Sequence, residues 1–170
     1  MKSIYFLSIN MVSFVPYAYG LLKSHAQQDP DVAAAYRWHA PVTDPAPVDA
    51  VASTIVDADL LCLSCYVWNH NQQLAVARQV KARYPECLVV CGGPHIPEHP
   101  DGFFERFPWV DILVHGEGEL PFTGLLRALL DASPDLAQLT GISFVRSGEL
   151  FTTPSGPRLG KHLPVPSPYL

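Results

Sequence analysis

Charged residues are scarce in this sequence, and none of the usual charge-based binding patterns is present. Of its 170 residues, only 16% are charged, whereas 48% are hydrophobic. The 11 basic residues are scattered along the chain, and the net charge is −5. This is the composition of a well-buried globular protein. Because no basic stripe is available to contact a phosphate backbone, we expect no nucleic-acid partner.

Long apolar runs are also lacking, and none reaches the ~20 residues that a membrane-spanning helix needs. The first 20 residues contain a lysine, an apolar segment and small residues near their end, which faintly resembles a signal peptide. Polar residues and a proline interrupt that segment, so 2–10 is better interpreted as a buried strand. We therefore expect a cytoplasmic protein with no membrane partner.

Cysteine occurs only four times, and its spacing argues against a metal or redox site. Cys62 and Cys65 are three residues apart in a predicted strand, so they point to opposite faces of it. Cys87 and Cys91 share a face but stand roughly 13 Å apart at ~3.3 Å per residue. We predict four buried, reduced thiols, as is usual in cytoplasmic proteins, and no metal ligand.

Apolar strand-like runs alternate with amphipathic helix-like runs over most of the chain. Strands are predicted at 2–10, 31–40, 59–67, 86–93 and 110–116, and helices at 16–28, 47–58, 71–85, 101–107 and 119–132. Strands that are apolar on both faces indicate a parallel sheet covered by helices on each side. The predicted fold is a doubly wound α/β domain, Rossmann-like or flavodoxin-like, with a five-stranded parallel sheet.

The pattern changes after residue 139. Two β-like runs flank Ser147-Gly148, a pair that is typical of a hairpin turn. The last residues are rich in proline and predict an extended linker. We expect three parts: a ligand-binding α/β domain at 1–139, a hairpin extension at 140–154 and a linker at 155–170.

The loops that follow the strands are where a sheet of this kind binds its ligand. The first loop lacks the G-x-G-x-x-G of dinucleotide-binding domains, and no P-loop is present. The third strand ends in Ser64-Cys65, where a phosphate-accepting receiver domain needs an aspartate. Since the loops carry few charges, a large, weakly charged ligand with an apolar body fits them best.

Three loops and the chain end carry a recognisable combination. "LSCYVWN" follows the third strand, "CGGPH" the fourth and "VHGEGE" the fifth, and the chain closes with "PSPYL". Together they resemble the cobalamin-binding domain of B12-dependent radical S-adenosylmethionine enzymes, over nearly the whole chain. The resemblance implies that 1–139 binds cobalamin and that 155–170 leads toward a radical domain outside this sequence.

That radical domain would hold a 4Fe-4S cluster and S-adenosylmethionine, and the resemblance implies a parent enzyme of the methyltransferase type. The corrinoid would relay the methyl group, because in such enzymes the cofactor carries the chemistry and the protein positions it. Alone, this chain is expected to bind the corrinoid without catalysing a reaction.

The cofactor-binding residues that the resemblance implies come from four loops. They are Asn10, Met11, Val12 and Ser13 after the first strand; Ser64, Cys65, Tyr66, Val67 and Trp68 after the third; Gly92, Gly93, Pro94 and His95 after the fourth; and His115, Gly116, Glu117, Gly118 and Glu119 after the fifth. The glycines would let the nucleotide tail of cobalamin pass close to the backbone. The glutamates would accept hydrogen bonds from its polar fringe, or begin a helix.

The lower face of the cobalt is expected to receive no imidazole from this protein. Many cobalamin domains supply a histidine from a D-x-H-x-x-G motif after the first strand. Here only His99 and His115 have a glycine three residues later, and Pro97 and Leu113 stand where the aspartate should be. We predict that Trp68 packs beneath the ring, because its flat indole lacks a good metal-binding lone pair.

Plainer interpretations stay open at this point. The glycines could serve only tight turns, Glu119 could be only a helix-start acid, His95 and His115 could be ordinary histidines, and Trp68 could belong to the core. The whole chain could also be an α/β interaction or regulatory domain without a corrinoid, or a flavin or nucleotide binder.

Overall fold

A computed structural model describes residues 1–10, 15–157 and 167 of the protein. The strands are β1 (Lys2–Leu7), β2 (Tyr36–Trp38), β3 (Leu60–Ser64), β4 (Leu88–Gly92), β5 (Ile112–Val114), β6 (Ile142–Arg146) and β7 (Glu149–Thr152). The α-helices are α1 (Tyr17–Ala26), α2 (Pro30–Ala35), α3 (Val48–Ser53), α4 (His70–Arg83), α5 (Phe103–Arg106) and α6 (Glu119–Ala128), and a short 3-10 helix covers Leu136–Gln138. In this described part, no helix is both long enough and apolar enough to cross a membrane.

The strands form one seven-stranded sheet in the order β2-β1-β3-β4-β5-β6-β7. The first five strands pair in parallel, and β6 and β7 pair antiparallel. The doubly wound α/β fold is therefore confirmed. The predicted hairpin forms at Ser147 and Gly148, whose φ angles of 53° and 81° are those of a type I′ turn. It extends the sheet from five strands to seven.

The segment 31–40 was predicted to be a strand, and for its first half that prediction is wrong. Residues Pro30–Ala35 form α2, and only Tyr36–Trp38 is a strand. The Asp29 carboxylate accepts hydrogen bonds from the backbone N–H groups of Asp31 and Val32 at 3.0 and 3.3 Å. An N-cap of this kind, a proline at the first helical position and a run of alanines all favour a helix.

The sheet separates two hydrophobic cores, and each strand supplies both of them with alternate side chains. Leu61 and Leu63 of β3 pack with α3, α4 and α5, whereas Leu60 and Cys62 pack with α1, α2 and α6. Because the side chains of a strand point alternately to its two faces, a run without polar residues is needed to fill both cores. Because both faces of the sheet are covered by apolar side chains, polar groups that could contact a ligand are expected at the ends of the strands.

All four cysteines are free and buried, as predicted. Cys62 belongs to one core, and Cys65, Cys87 and Cys91 belong to the other, which confirms that Cys62 and Cys65 point to opposite faces. Burial raises the pKa of the Cys87 thiol to about 12 and raises the pKa of Cys62 as well. Cys62 and Cys87 are therefore neutral packing groups.

The topology brings the important loops to one edge of the sheet, which we name the carboxyl edge. The parallel strands β1, β3, β4 and β5 all end there. Two antiparallel pairings follow β5, so β7 runs in the same direction as β5. Residues 153–157 therefore also leave the sheet at the carboxyl edge.

The packing of α6 predicts a measurable difference between two leucines. Leu125 is fully buried against the sheet, whereas Leu130, beyond the end of α6, is 38% exposed. Leu125→Ala should lower the free energy of unfolding by about 2–5 kcal/mol, because a cavity replaces buried methyl groups. Leu130→Ala should cost under about 1 kcal/mol. Equal losses in urea unfolding would contradict the assignment of α6 to the core.

Candidate functional site

A cavity of about 250 Å³ opens at the carboxyl edge, between the sheet and helices α1 and α6. The structure brings together in its wall eight of the residues predicted from sequence: Ser64, Tyr66, Gly92, Gly93, Gly116, Glu117, Gly118 and Glu119. Met11, Val12 and Ser13 lie outside the described residues. Three separate loops thus converge on one concavity, as the parallel topology requires.

The third loop places an aromatic surface beside this cavity, which we call the Tyr66–Trp68 platform. The rings of Tyr66 and Trp68 stack with centroids 4.8 Å apart and planes 16° apart. Val67 and Trp68 are 73% and 55% exposed, so Trp68 is not a core residue. The indole Nε1 donates a hydrogen bond to Asn10 Oδ1 at 2.8 Å, which orients the ring. Large apolar groups held exposed in a fixed orientation mark a contact surface.

Asn69 holds the platform in place, a role that sequence reasoning missed. Asn69 occupies the N-cap position of α4, but its side chain makes no capping bond. Instead its Oδ1 accepts from the Tyr66 N–H at 2.8 Å, and its Nδ2 donates to the carbonyls of Ile9 and Ser64 at 3.0 and 3.1 Å. One buried amide therefore joins the ends of β1 and β3 to the third loop.

Gln73 supports the same junction from one helical turn further along α4. It is fully buried, and its Nε2 donates to the Ser64 carbonyl at 3.0 Å. Asn69 and Gln73 are four residues apart, which places both amides on the buried face of α4. Two amides at helical spacing on an otherwise apolar face were the sequence signal that could have revealed this network.

Glycine stands at the positions of the site for different structural reasons. A Cβ on Gly93, whose φ is +106°, would lie only 2.7 Å from the Cys65 carbonyl oxygen. Glycine is therefore needed at position 93 to let the fourth loop pass the third, and its contact with a nucleotide tail stays a prediction. Gly116 also has a positive φ, +66°, but a Cβ there would meet nothing within 4 Å. Both residues have the positive φ of a tight turn, which does not exclude a contact with a ligand.

The beginning of α6 closes the other side of the cavity. A Cβ on Gly118 would lie 3.1 Å from Leu22 Cδ2, so the glycine lets α6 approach α1. Glu119 is in the first turn of α6 and is only 9% exposed, whereas Glu117 is exposed. Both carboxylates line the cavity. Glu119 is thus well placed both as a helix-start acid and as a hydrogen-bond acceptor at the cavity mouth.

The two histidines of the predicted site have partners within the protein. His115 Nε2 lies 2.7 Å from Ser143 Oγ, which in turn lies 2.8 Å from Thr152 Oγ1, so the fifth loop is fastened to the hairpin. Burial lowers the pKa of His115. His95 packs edge-on against His70 at 4.7 Å. Among the described residues, no three His, Cys, Asp or Glu side chains form a group that could hold a metal ion.

A parallel α/β sheet with an apolar cavity and an exposed aromatic platform at its carboxyl edge defines a domain built for a large organic cofactor. The chain belongs to the B12 binding domain family, whose sequence model matches residues 24–126. Cobalamin is accordingly its cofactor.

Similar proteins agree with this assignment. The chain is 47% identical over 169 residues to the cobalamin-dependent radical SAM methyltransferase TokK of Streptomyces tokunonensis. It is 46% identical over 169 residues to the 2-(S-pantetheinyl)-carbapenam-3-carboxylate methyltransferase of Streptantibioticus cattleyicolor. Both matches cover 99% of this chain but only 25% of the relative, so the chain spans about a quarter of the length of these enzymes.

The fold has a counterpart among solved structures. The cobalamin-dependent S-adenosylmethionine radical enzyme OxsB, solved with aqua-cobalamin and S-adenosylmethionine bound, superposes with a TM-score of 0.74. The match covers 93% of this chain and 23% of OxsB at 16% sequence identity. At that identity, the similarity concerns the fold alone.

The residues at the carboxyl edge fit a corrinoid. A broad, flat ring needs an apolar surface that is exposed before it binds, and the Tyr66–Trp68 platform is such a surface. A nucleotide tail needs a cleft beside it, and the cavity opens next to Tyr66. A side chain at position 116 would project into open space, so the glycine there leaves that part of the cavity mouth clear.

The role of Asn69 can be tested with an isosteric change. Asn69→Asp at pH 7 should lower the free energy of unfolding by about 1–3 kcal/mol, because a carboxylate would face two carbonyl oxygens that now receive N–H donors. The loss should shrink as the pH falls toward ~4, where the new carboxyl is protonated. Asn71→Asp, exposed on the same helix, is the matched control and should cost nothing. Equal urea midpoints for the two variants would refute the structural role.

Proposed function

We propose that this chain holds cobalamin at the carboxyl edge of its sheet, with the corrin ring against the Tyr66–Trp68 platform and the nucleotide tail in the cavity. The observation that carries the placement is the exposure of Val67 and Trp68, 73% and 55%, directly beside an apolar cleft. Exposed apolar groups of this size gain the most free energy from being covered. The predicted residues of the third, fourth and fifth loops that line the cavity lie next to this position.

We further propose that the chain is the cofactor domain of a cobalamin-dependent radical S-adenosylmethionine methyltransferase. The names of the two relatives and their greater length support this proposal. In such an enzyme the remaining polypeptide would hold a 4Fe-4S cluster and S-adenosylmethionine, and the corrinoid would supply a carrier for the methyl group. This chain's residues would bind and orient that carrier.

The path of the chain supports the same proposal. The hairpin of β6 and β7 returns the backbone to the carboxyl edge, where 153–157 leaves the sheet. The linker toward a radical domain would thereby start on the side where the cofactor binds. The expected division into a cobalamin domain at 1–139, a hairpin at 140–154 and a linker is retained as part of this proposal. Four buried free thiols and the lack of a basic stripe favour a cytoplasmic domain without a nucleic-acid partner.

The lower face of the cobalt should be free of protein nitrogen ligands. The first loop contains no histidine in its sequence. His115 is hydrogen-bonded to Ser143, and His95 packs on His70. The residue beside the cavity with the largest flat surface is Trp68, whose nitrogen already donates to Asn10. An indole nitrogen is a donor only and offers no lone pair to a metal.

A pair of exposed valines tests the placement of the ring. Val67→Asp should weaken the binding of hydroxocobalamin about tenfold or more, since a charge would replace apolar contact area, and should leave the melting temperature unchanged. Val56→Asp is the control, because Val56 is 50% exposed in the connection between α3 and β3, at the opposite edge. Absorption titrations give both affinities. If the two variants bind equally well, the platform does not carry the ring.

The same titration separates the proposed function from its alternatives. A regulatory domain would bind neither hydroxocobalamin nor flavin mononucleotide, and a flavin binder would take only the latter.

Electron paramagnetic resonance of bound cob(II)alamin tests the lower face. We expect no nitrogen superhyperfine splitting from a lower axial ligand in the parent protein. Trp68→His should change the spectrum, because it brings an imidazole to the position beneath the ring. Nitrogen splitting in the parent would refute the claim, and an unchanged spectrum in Trp68→His would place Trp68 elsewhere.

A further inference from the structure

We propose that the cavity selects the lower base of the corrinoid: it accepts the apolar dimethylbenzimidazole of cobalamin and disfavours an adenine in the same place. This inference rests on the proposed function, because it takes the nucleotide tail to lie in the cavity. It goes beyond that function by proposing that the chain discriminates between lower bases, and by naming the part of the cavity that does so.

The inner end of the cavity is a row of apolar side chains across three strands. The sheet register aligns Phe6 of β1 with Cys62 of β3, and Cys62 with Val90 of β4. All three line the cavity, and each is at most 3% exposed. Because residues in one register row stand side by side on one face, they form a continuous apolar floor.

The opposite wall at this depth is also apolar. Phe122 of α6 is 2% exposed and lines the cavity, as do Leu21 and Leu22 of α1. The floor and this wall therefore enclose a space between hydrocarbon surfaces. The flat, aromatic bases of corrinoid tails fit such a space better than sugars or amides do.

Polar groups line the cavity only nearer its mouth. Ser64 and Gly92 are paired one pleat closer to the carboxyl edge than Cys62 and Val90. Glu117 and Glu119 stand further out, on the loop before α6 and in its first turn.

Among the described side chains of the inner end, the one heteroatom is the sulfur of Cys62. Burial raises the pKa of that thiol, so it stays neutral, and a thiol is a weak donor and a weak acceptor. The cavity is thus apolar inside and polar at its entrance.

This gradient distinguishes two lower bases. Dimethylbenzimidazole presents two methyl groups and no exocyclic amine. Adenine presents an amine and additional ring nitrogens, which would lose their hydrogen bonds to water at the apolar floor and find no strong partner there. A buried polar group without a partner is unfavourable, and an apolar pocket rejects it by about 10- to 100-fold.

Three corrinoids test the inference on the unaltered chain: cobalamin, pseudocobalamin with an adenine base, and cobinamide, which has no nucleotide tail. We expect cobalamin to bind most tightly, and pseudocobalamin about 10- to 100-fold more weakly in absorption titrations. Equal binding of cobalamin and pseudocobalamin, both tighter than cobinamide, would overturn the selectivity while leaving the proposed function standing. Equal binding of cobalamin and cobinamide would remove the tail from the cavity. Binding of none of them would overturn the proposed function itself.

Adjacent valines on β4 locate the selectivity within the cavity. Val90→Thr would place a hydroxyl at the inner end, where it can bond to the adenine amine, so the preference for cobalamin over pseudocobalamin should fall about fivefold or more. Val89→Thr is the matched control, because Val89 is equally buried but belongs to the core on the other face of the sheet. It should leave the preference unchanged. If neither variant changes the ratio of the two affinities, the floor does not select the base.

Discussion

The side-chain amide of Asn69 joins the ends of two parallel strands, and the shape of the cofactor site depends on that junction. Where a parallel strand ends, its last carbonyl groups lose their ladder partners and must find others if they are buried. Asn69 supplies donors to Ile9 and Ser64 and an acceptor to the turn that follows β3. The turn is thereby fixed, and Trp68 can be held outward instead of collapsing into the core.

The cavity follows from the same topology. Parallel strands with both faces covered leave a cleft only where loops diverge at the carboxyl edge, and here α1 and α6 flank that cleft. The register rows of the sheet then set its polarity. The register rows inside the sheet belong to the core and must be apolar, whereas the loop residues beyond them, such as Glu117, can be polar. A ligand with an apolar end and a polar middle matches such a cleft, and a corrinoid tail has that form.

Much of this structure could be predicted from the sequence because local patterns decided it. Apolar runs separated by helical periodicity indicated the parallel sheet, and Ser147-Gly148 indicated the hairpin. The helix at Pro30–Ala35 was missed because a run of alanines was interpreted by its apolarity, while the N-cap at Asp29 decided its conformation. The structural role of Asn69 could not be predicted, since it depends on contacts with Ile9 and Ser64 that only the folded sheet brings near. The close approach of Gly93 to Cys65 is likewise visible only in the folded sheet, although a tight turn was among the interpretations of that glycine.

Amide hydrogen exchange with and without hydroxocobalamin tests the location of the site most directly. We expect slower exchange in peptides covering 64–69, 92–96 and 115–119, the loops of the carboxyl edge, with little change in the connections at the opposite edge. Protection confined to 54–59, 84–87 and 107–111, where the parallel strands begin, would contradict the placement of the cofactor, and so would saturating binding with no protection at the carboxyl edge.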